Sequence, residues 1–217
     1  MIPAHRHRSR RNVIEEPDPG TKLAAAATAI EAGEAVVYPT ETVYGLGADA
    51  TDSAAVERVY ALKDRPRDKP LSVAVPDVGH VATVARPSPR ATRFMDAFLP
   101  GPVTVVIERR PSLADALTAG GERVGIRVPD HSLARSLLER TPPLTATSAN
   151  RSGEPSARRV TDIHPSVRAG VAVVLDGGQT PGGGSTVVDV DREIVHRRGA
   201  FADAVEAWLE ADQDDSP

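Results

Sequence analysis

The 217-residue sequence contains no cysteine. That excludes disulfides, thiolate catalysis and cysteine-ligated zinc. Aromatic residues make up only 3% of the chain, so the core must rest on Val, Leu, Ile and Ala. The stacking platforms that bind single-stranded nucleic acid are not supplied. No apolar run reaches the roughly 18 residues of a membrane span, and the N-terminus lacks the apolar stretch of a signal peptide. A soluble, cytoplasmic protein is expected, with no membrane partner. The net charge of −4 argues against a general nucleic-acid coat.

Several catalytic signatures are missing as well. There is no G-x-x-x-x-G-K-[ST], no G-x-G-x-x-G after a first strand, and no H-E-x-x-H. The "TSA" around Ser148 lacks the glycines of a nucleophile elbow. Of the six histidines only His5 and His7 lie close together, so no permanent metal site is expected.

The length fits one domain, with hydrophobic residues at 40% and charged residues at 26%. Charge concentrates at the ends. Arg6, Arg8, Arg10 and Arg11 stand in an N-terminal segment without acids, and Glu210, Asp212, Asp214 and Asp215 crowd the other end. Residues 1–20 are therefore read as a flexible basic arm, 21–210 as the folded domain and 211–217 as an acidic tail.

Within the domain, strand and helix patterns alternate. The Ala-rich 21–33 segment predicts a helix with Leu23, Ala27 and Ile30 on one face and Gly33 as its stop. Strand patterns follow at "EAVVYPT", "LSVAV", "VTVVIERR", "RVGIRV", "PLTATSAN", "VAVVLDGG", "STVVDVD" and "EIVHRR". Helices are predicted over 53–63, "RATRFMDAFL", "HSLARSLLER" and a final stretch using Phe201, Val205, Trp208 and Leu209. "STVVDVD" and "EIVHRR" are close enough to form a hairpin. The result is an α/β domain around a mixed sheet.

Four stretches carry more than punctuation. "YPTETVYGLGADA" (38–50) interleaves Thr40, Thr42 and Tyr44 with Gly45 and Gly47. This pattern suits a bent strand end, and equally a backbone that lets a small polar ligand approach. "LKDRPRDKPLSV" (62–73) sets Lys63, Arg65, Arg67 and Lys69 around Pro66, with Asp64 and Asp68 expected to face solvent. It fits a charged surface turn or a polyphosphate grip, since arginine forks hold phosphate bidentately and lysine adds a compact charge. "TATSANRSGEPS" (145–156) crowds hydroxyls at a strand end, which can serve as a helix cap or hold phosphate oxygens. "DGGQTPGGGSTVVDV" (176–190) puts five glycines before Ser185. All four fall at strand ends or strand-adjacent turns, where ligands of α/β sheets gather.

Taken in order, these stretches together with "LPGPVTVVI", "VGIRVPDH" and "GGSTVVDV…RRG" resemble the signature segments of the YrdC/TsaC family across about residues 22–200. The resemblance implies a twisted α/β sheet with helices around a large basic cavity. It implies synthesis of threonylcarbamoyl-AMP and pyrophosphate from L-threonine, bicarbonate and ATP. Mg²⁺ would accompany the ATP. A downstream threonylcarbamoyl transferase complex would then modify the adenosine beside the anticodon of ANN-decoding tRNAs. The chain ends shortly after Trp208, which points to the single-domain form.

By the same resemblance, Thr40, Thr42, Tyr44 and Arg127 would form the threonine pocket, with Arg127 on the substrate carboxylate. Lys63 and Arg65 would be catalytic. They would hold the ATP phosphates with Lys69, Ser148, Asn150 and Ser156, while Ser185 and Arg197 complete the nucleotide site. One departure stands out: some relatives carry a histidine where this chain has Ala74. No general base is indicated. The alternative in another class is a non-catalytic module binding tRNA or double-stranded RNA, for which the basic arm is a candidate contact. A hydrogenase-maturation carbamoyl transferase is the other rival, but the cysteine motifs of such proteins are absent here.

Overall fold

The computed structural model describes residues 19–214. The basic arm, up to residue 18, and residues 215–217 of the acidic tail lie outside them. In chain order the elements are α1 (Pro19–Glu31), β1 (Val36–Tyr38), β2 (Gly45–Gly47), α2 (Ser53–Lys63), β3 (Ser72–Ala74), α3 (Val81–Val84), β4 (Ala85–Arg86) and α4 (Pro89–Phe98). They continue with β5 (Val103–Arg109), β6 (Arg123–Arg127), α5 (Ser132–Leu138), β7 (Leu144–Ser148), α6 (Pro165–Ala169), β8 (Val173–Val174), β9 (Thr186–Asp189), β10 (Ile194–Arg197) and α7 (Ala202–Asp214).

The ten-stranded sheet runs β10-β9-β5-β6-β3-β7-β2-β1-β8, with β4 added on β5. It is mixed: β5–β9, β6–β3 and β1–β8 are parallel and the other pairs antiparallel. β9 and β10 form the expected hairpin.

Local chemistry sets the boundaries. Asp52 caps α2 by accepting the Ala54 N–H at 2.8 Å, and Asp64 ends it in the left-handed region at φ 49°. Ser88 caps α4, with Pro89 in its first turn, where a missing N–H costs nothing. Helix α7 reaches Asp214, into the segment expected as a tail. Asp212 holds it there by accepting from Arg90 (2.7 Å) and Arg93 (2.9 Å) of α4.

The main core packs Val103, Val105 and Ile107 of β5 and Val124 and Ile126 of β6 with residues of α2, α4 and α7. A second cluster joins α1 and α5 to Tyr38, Ala74 and Leu144. Two facial assignments need correction. The buried alanine of α1 is Ala26 rather than Ala27, and Phe201 stands before α7 and is 58% exposed.

Because strand side chains alternate, burying those valines turns Thr104, Val106, Arg123, Gly125 and Arg127 to the opposite face. That face is the floor of the cavity.

The short elements β2, α3, β4 and α6 do not stand out in the sequence pattern, and of these β2 bears on the site. Tyr38 of β1 pairs with Gly45 across the ladder. An added Cβ would lie 3.0 Å from the Tyr38 ring at Gly45 and 2.8 Å at Gly47. Both glycines make room for a tyrosine ring, and Gly45 also lines the cavity, where its backbone remains open to a ligand.

Candidate active site

A cavity of about 890 Å³ lies over the centre of the sheet. Thr40, Thr42, Arg65, Lys69 and Arg127 line it, as do Ser148, Ser156, Ser185 and Arg197. Segments far apart in sequence therefore converge. Gly125 keeps the middle of the floor open, since a Cβ there would meet Ser72 Oγ at 2.5 Å and Thr104 Cγ2 at 2.8 Å.

At one end, a directed chain of hydrogen bonds starts from Arg127. Its Nη2 donates to Glu41 Oε1 (2.7 Å) and Thr42 Oγ1 (3.0 Å). Thr40 spends its hydroxyl proton on Val43 O (2.7 Å), so Thr42 is the donor in the 3.0 Å contact between the two threonines. Arg127 Nη1 and Glu41 Oε2 are buried and have no partner among the described residues. A buried guanidinium nitrogen with nothing to bond to is costly. Here it belongs to a residue on the cavity wall.

Toward the nucleotide side expected from the sequence, Arg65 is held by its own loop, Nε donating to Lys69 O and Nη2 to Pro70 O, both at 3.0 Å. Arg197 donates from Nε to Ser185 O (3.0 Å) and from Nη2 to Ser185 Oγ (2.9 Å). Ser185 in turn contacts Thr104 Oγ1 at 2.9 Å. Burial, then the charges of Arg127 and Arg65, pushes the Arg197 pKa down, so Arg197 feels both of the other guanidiniums. Arg65, Lys69, Arg158 and Arg197 have no ion pair with a described carboxylate. Four cations on one cavity wall with Asp68 as the one acidic lining side chain leave a net positive charge, which is matched to an incoming polyanion.

Three expected site residues stand behind the wall. Lys63 is 1% exposed, and its ammonium donates to the carbonyls of Ser148 and Asn150, the latter at 2.7 Å. Burial, then the charge of Arg65, lowers its pKa to about 8. The Tyr44 hydroxyl donates to Gly178 O (2.7 Å), shared with Asp176 Oδ1 (3.0 Å), and accepts the Gly177 N–H (3.1 Å). Asn150 donates to Arg151 O (2.7 Å) and Glu154 O (2.6 Å). Lys63 and Tyr44 each tie one cavity segment to another, while the Asn150 side chain braces its own turn.

The charged bend divides differently from its expected display. Arg67 turns away to Glu57 and the Tyr60 ring, and Asp64 pairs outside with Arg151 at 2.8 Å. Asp68 is exposed as expected, and it also lines the cavity.

Arg123, Arg158 and His196 also line the cavity and were not identified from the sequence. Arg123 was within reach: alternation in "RVGIR" puts it on the face of Arg127. It is paired with buried Asp189 at 2.7 Å. Arg158 follows no periodic pattern and left no such signal.

Among the described residues no cluster of metal-ligating side chains occurs, and no helix is long and apolar enough to cross a membrane.

A family model for Sua5, YciO and YrdC proteins, described as telomere recombination, matches residues 28–199. The chain is 40% identical over 162 residues to the threonylcarbamoyl-AMP synthase of Bacillus subtilis, covering 73% of this chain and 47% of that one. It is 38% identical over 170 residues to a putative threonylcarbamoyl-AMP synthase of Mycobacterium tuberculosis, covering 77% and 78%. The Pyrococcus abyssi Sua5 crystal structure complexed with L-threonine superposes with a TM-score of 0.79 at 34% identity, covering 85% of this chain and 56% of that one. The chain thus spans about half the length of the Bacillus relative. It belongs to the Sua5/YciO/YrdC family.

Proposed function

We propose that this chain is an L-threonylcarbamoyl-AMP synthase, a nucleotidyltransferase serving threonylcarbamoyladenosine formation in ANN-decoding tRNAs. The observation that carries the reading is Arg127, a guanidinium that lines the cavity and keeps one nitrogen, Nη1, without a partner among the described residues. Arg127 shares one cavity with Arg65, Lys69, Arg158 and Arg197, which make no ion pair with a described carboxylate. An amino acid carboxylate fits the first and a nucleotide polyphosphate fits the second. Family membership, and the relatives named for this activity, support the same assignment.

In this reading, the threonine carboxylate pairs with Arg127 beside Thr42. The threonine amine and bicarbonate form a carbamate with loss of water. A carbamate oxygen then bonds to the ATP α-phosphorus, and the bond from that phosphorus to the pyrophosphate oxygen breaks. Negative charge spreads over phosphate oxygens in the transition state. Fixed cations placed before the reaction therefore lower the barrier by electrostatics and positioning. Arg65, Lys69 and Arg197 supply that charge, with Ser148, Ser156 and Ser185 as hydroxyl partners. Lys63 and Tyr44 act by holding these segments in register, and Asn150 by bracing its own turn. Asp68, the acidic side chain on the wall, would face an Mg²⁺ accompanying the triphosphate, which would offset part of the phosphate charge. No protein nucleophile is needed, in keeping with a chain that has no cysteine.

Calorimetric titration of the purified chain with MgATP and then L-threonine tests the reading. Saturable binding of both is expected. Tight binding of tRNA with no affinity for ATP would instead favour an RNA-binding module.

A further inference from the structure

Residues 176–184 form a glycine-rich strap whose backbone is fastened at three places. Tyr44 holds its beginning. In its middle the Thr180 N–H donates to Arg158 O at 2.9 Å, and near its end the Gly182 N–H donates to Thr42 O at 2.7 Å. Arg158 lies directly against this strap. Its Nε donates to Thr180 O at 3.2 Å. Gly182 sits at φ +92°, where an added Cβ would be 2.8 Å from that same Nε and 3.2 Å from Cζ. The guanidinium is thus fixed at Nε and backed by a residue without a side chain.

Its two terminal nitrogens make no hydrogen bond or ion pair with a described residue. Asp162 accepts the backbone N–H groups of Arg158 (3.2 Å) and Arg159 (2.9 Å) at Oδ2 and the Thr161 hydroxyl at Oδ1, and makes no ion pair with the Arg158 guanidinium. Arg158 and Ser156 both line the cavity. Ala157 between them is buried, its carbonyl taken by the Tyr44 N–H at 2.9 Å.

We propose that Arg158 is a further phosphate-binding residue, which holds the phosphate chain of the nucleotide from the strap, next to Ser156. A guanidinium pinned at Nε offers Nη1 and Nη2 as a preset fork, the geometry suited to phosphate oxygens. The inference rests on the synthase reading, which supplies the nucleotide. No step of the reaction depends on Arg158 for proton transfer; its contribution is charge and orientation.

The test compares wild type with Arg158→Gln and Arg158→Lys, measuring MgATP affinity by calorimetry, KM for each of the three substrates, and Tm. For Arg158→Gln, a loss of ATP affinity of roughly ten- to a hundredfold is expected, the scale of a charge-assisted phosphate contact. KM for L-threonine and bicarbonate should stay within about twofold. Arg158→Lys, which keeps the charge without the fork, should recover part of the loss. Unchanged ATP affinity in Arg158→Gln would overturn the proposal. So would a shift confined to bicarbonate, or a fall in Tm with all three KM values rising together. A wild type that binds no ATP would instead refute the synthase reading itself.

Discussion

Arg127 and Glu41 meet at 2.7 Å through one guanidinium nitrogen and one carboxylate oxygen, leaving the second atom of each group buried and unpaired. Glu41 thereby fixes Arg127 without using up its donors. Arg127→Lys keeps the positive charge but loses the fork that can serve Glu41, Thr42 and a substrate carboxylate together. Its KM for L-threonine should rise on the order of a hundredfold, while ATP affinity by calorimetry changes little. Thr42→Val, which removes the hydroxyl beside that fork, should raise the threonine requirement in the same direction by a smaller factor. Threonine dependence unchanged in both variants would move the amino acid out of this end of the cavity.

Lys63 and Arg65 are two residues apart and should fail in different ways. Arg65 is on the cavity wall, so Arg65→Ala should slow ATP-dependent pyrophosphate release about a hundredfold with Tm nearly intact. Lys63 binds the carbonyls of Ser148 and Asn150. Lys63→Ala strands these acceptors, at a cost of about 1–3 kcal/mol for a buried group left unsatisfied. Activity and Tm should fall together. Pyrophosphate release assays beside thermal unfolding separate the two patterns.

The low pKa of Lys63 has a measurable sign. Its ammonium titrates at about 8 in the folded chain against 10.5 for an ordinary lysine. Between those values the unfolded chain binds a proton that the folded chain has released, so stability contributed by this group rises with pH. Urea unfolding of wild type and Lys63→Met at pH 7.5 and 9.5 should show the stability difference moving in favour of wild type by about 1–2 kcal/mol. The range stops short of tyrosine ionisation for a reason. Burial holds Tyr38 and Tyr44 up at about 12, so above pH 10 their contribution has the opposite sign. A difference that stays flat would mean the Lys63 ammonium is not desolvated as placed.

Gly47 and the Tyr38 ring form a packing pair. A methyl group at position 47 would sit 2.8 Å from Tyr38 Cε1, and the ring is itself buried. Gly47→Ala should destabilise the chain by about 1–3 kcal/mol, the usual cost of overpacking. Tyr38→Leu in the same chain should recover part of that loss. Additive losses in the double variant, read from urea unfolding, would show that the two sites do not compete for space.

Much of this architecture was legible because the main strands and helices carry strong periods. β5 is dense in β-branched residues, β6 alternates, and α2 has both its Asp52 cap and its apolar face in the sequence. β2 was not legible, since a "GLG" strand has no β-branched residues and its glycines are explained only by Tyr38 across the ladder. In the sequence the cationic bend presents one display of four charges. Tertiary structure divides it: Arg65 and Lys69 face the cavity, Arg67 pairs with Glu57, and Lys63 is drawn inward by two carbonyls. No local signal distinguishes a lysine that meets solvent from one that meets Ser148 O and Asn150 O, because those acceptors arrive from a strand end some eighty residues later. Arg158 was hidden for the same reason: its partners, Thr180 and Gly182, belong to a distant loop.

Mass spectrometry of the purified chain incubated with L-threonine, bicarbonate and MgATP tests the central claim most directly. Threonylcarbamoyl-AMP and pyrophosphate should form together, and both should vanish when any one substrate is left out or when Arg127 is replaced by alanine. ATP turnover with no such adduct, or adduct formation that persists without Arg127, would contradict the account.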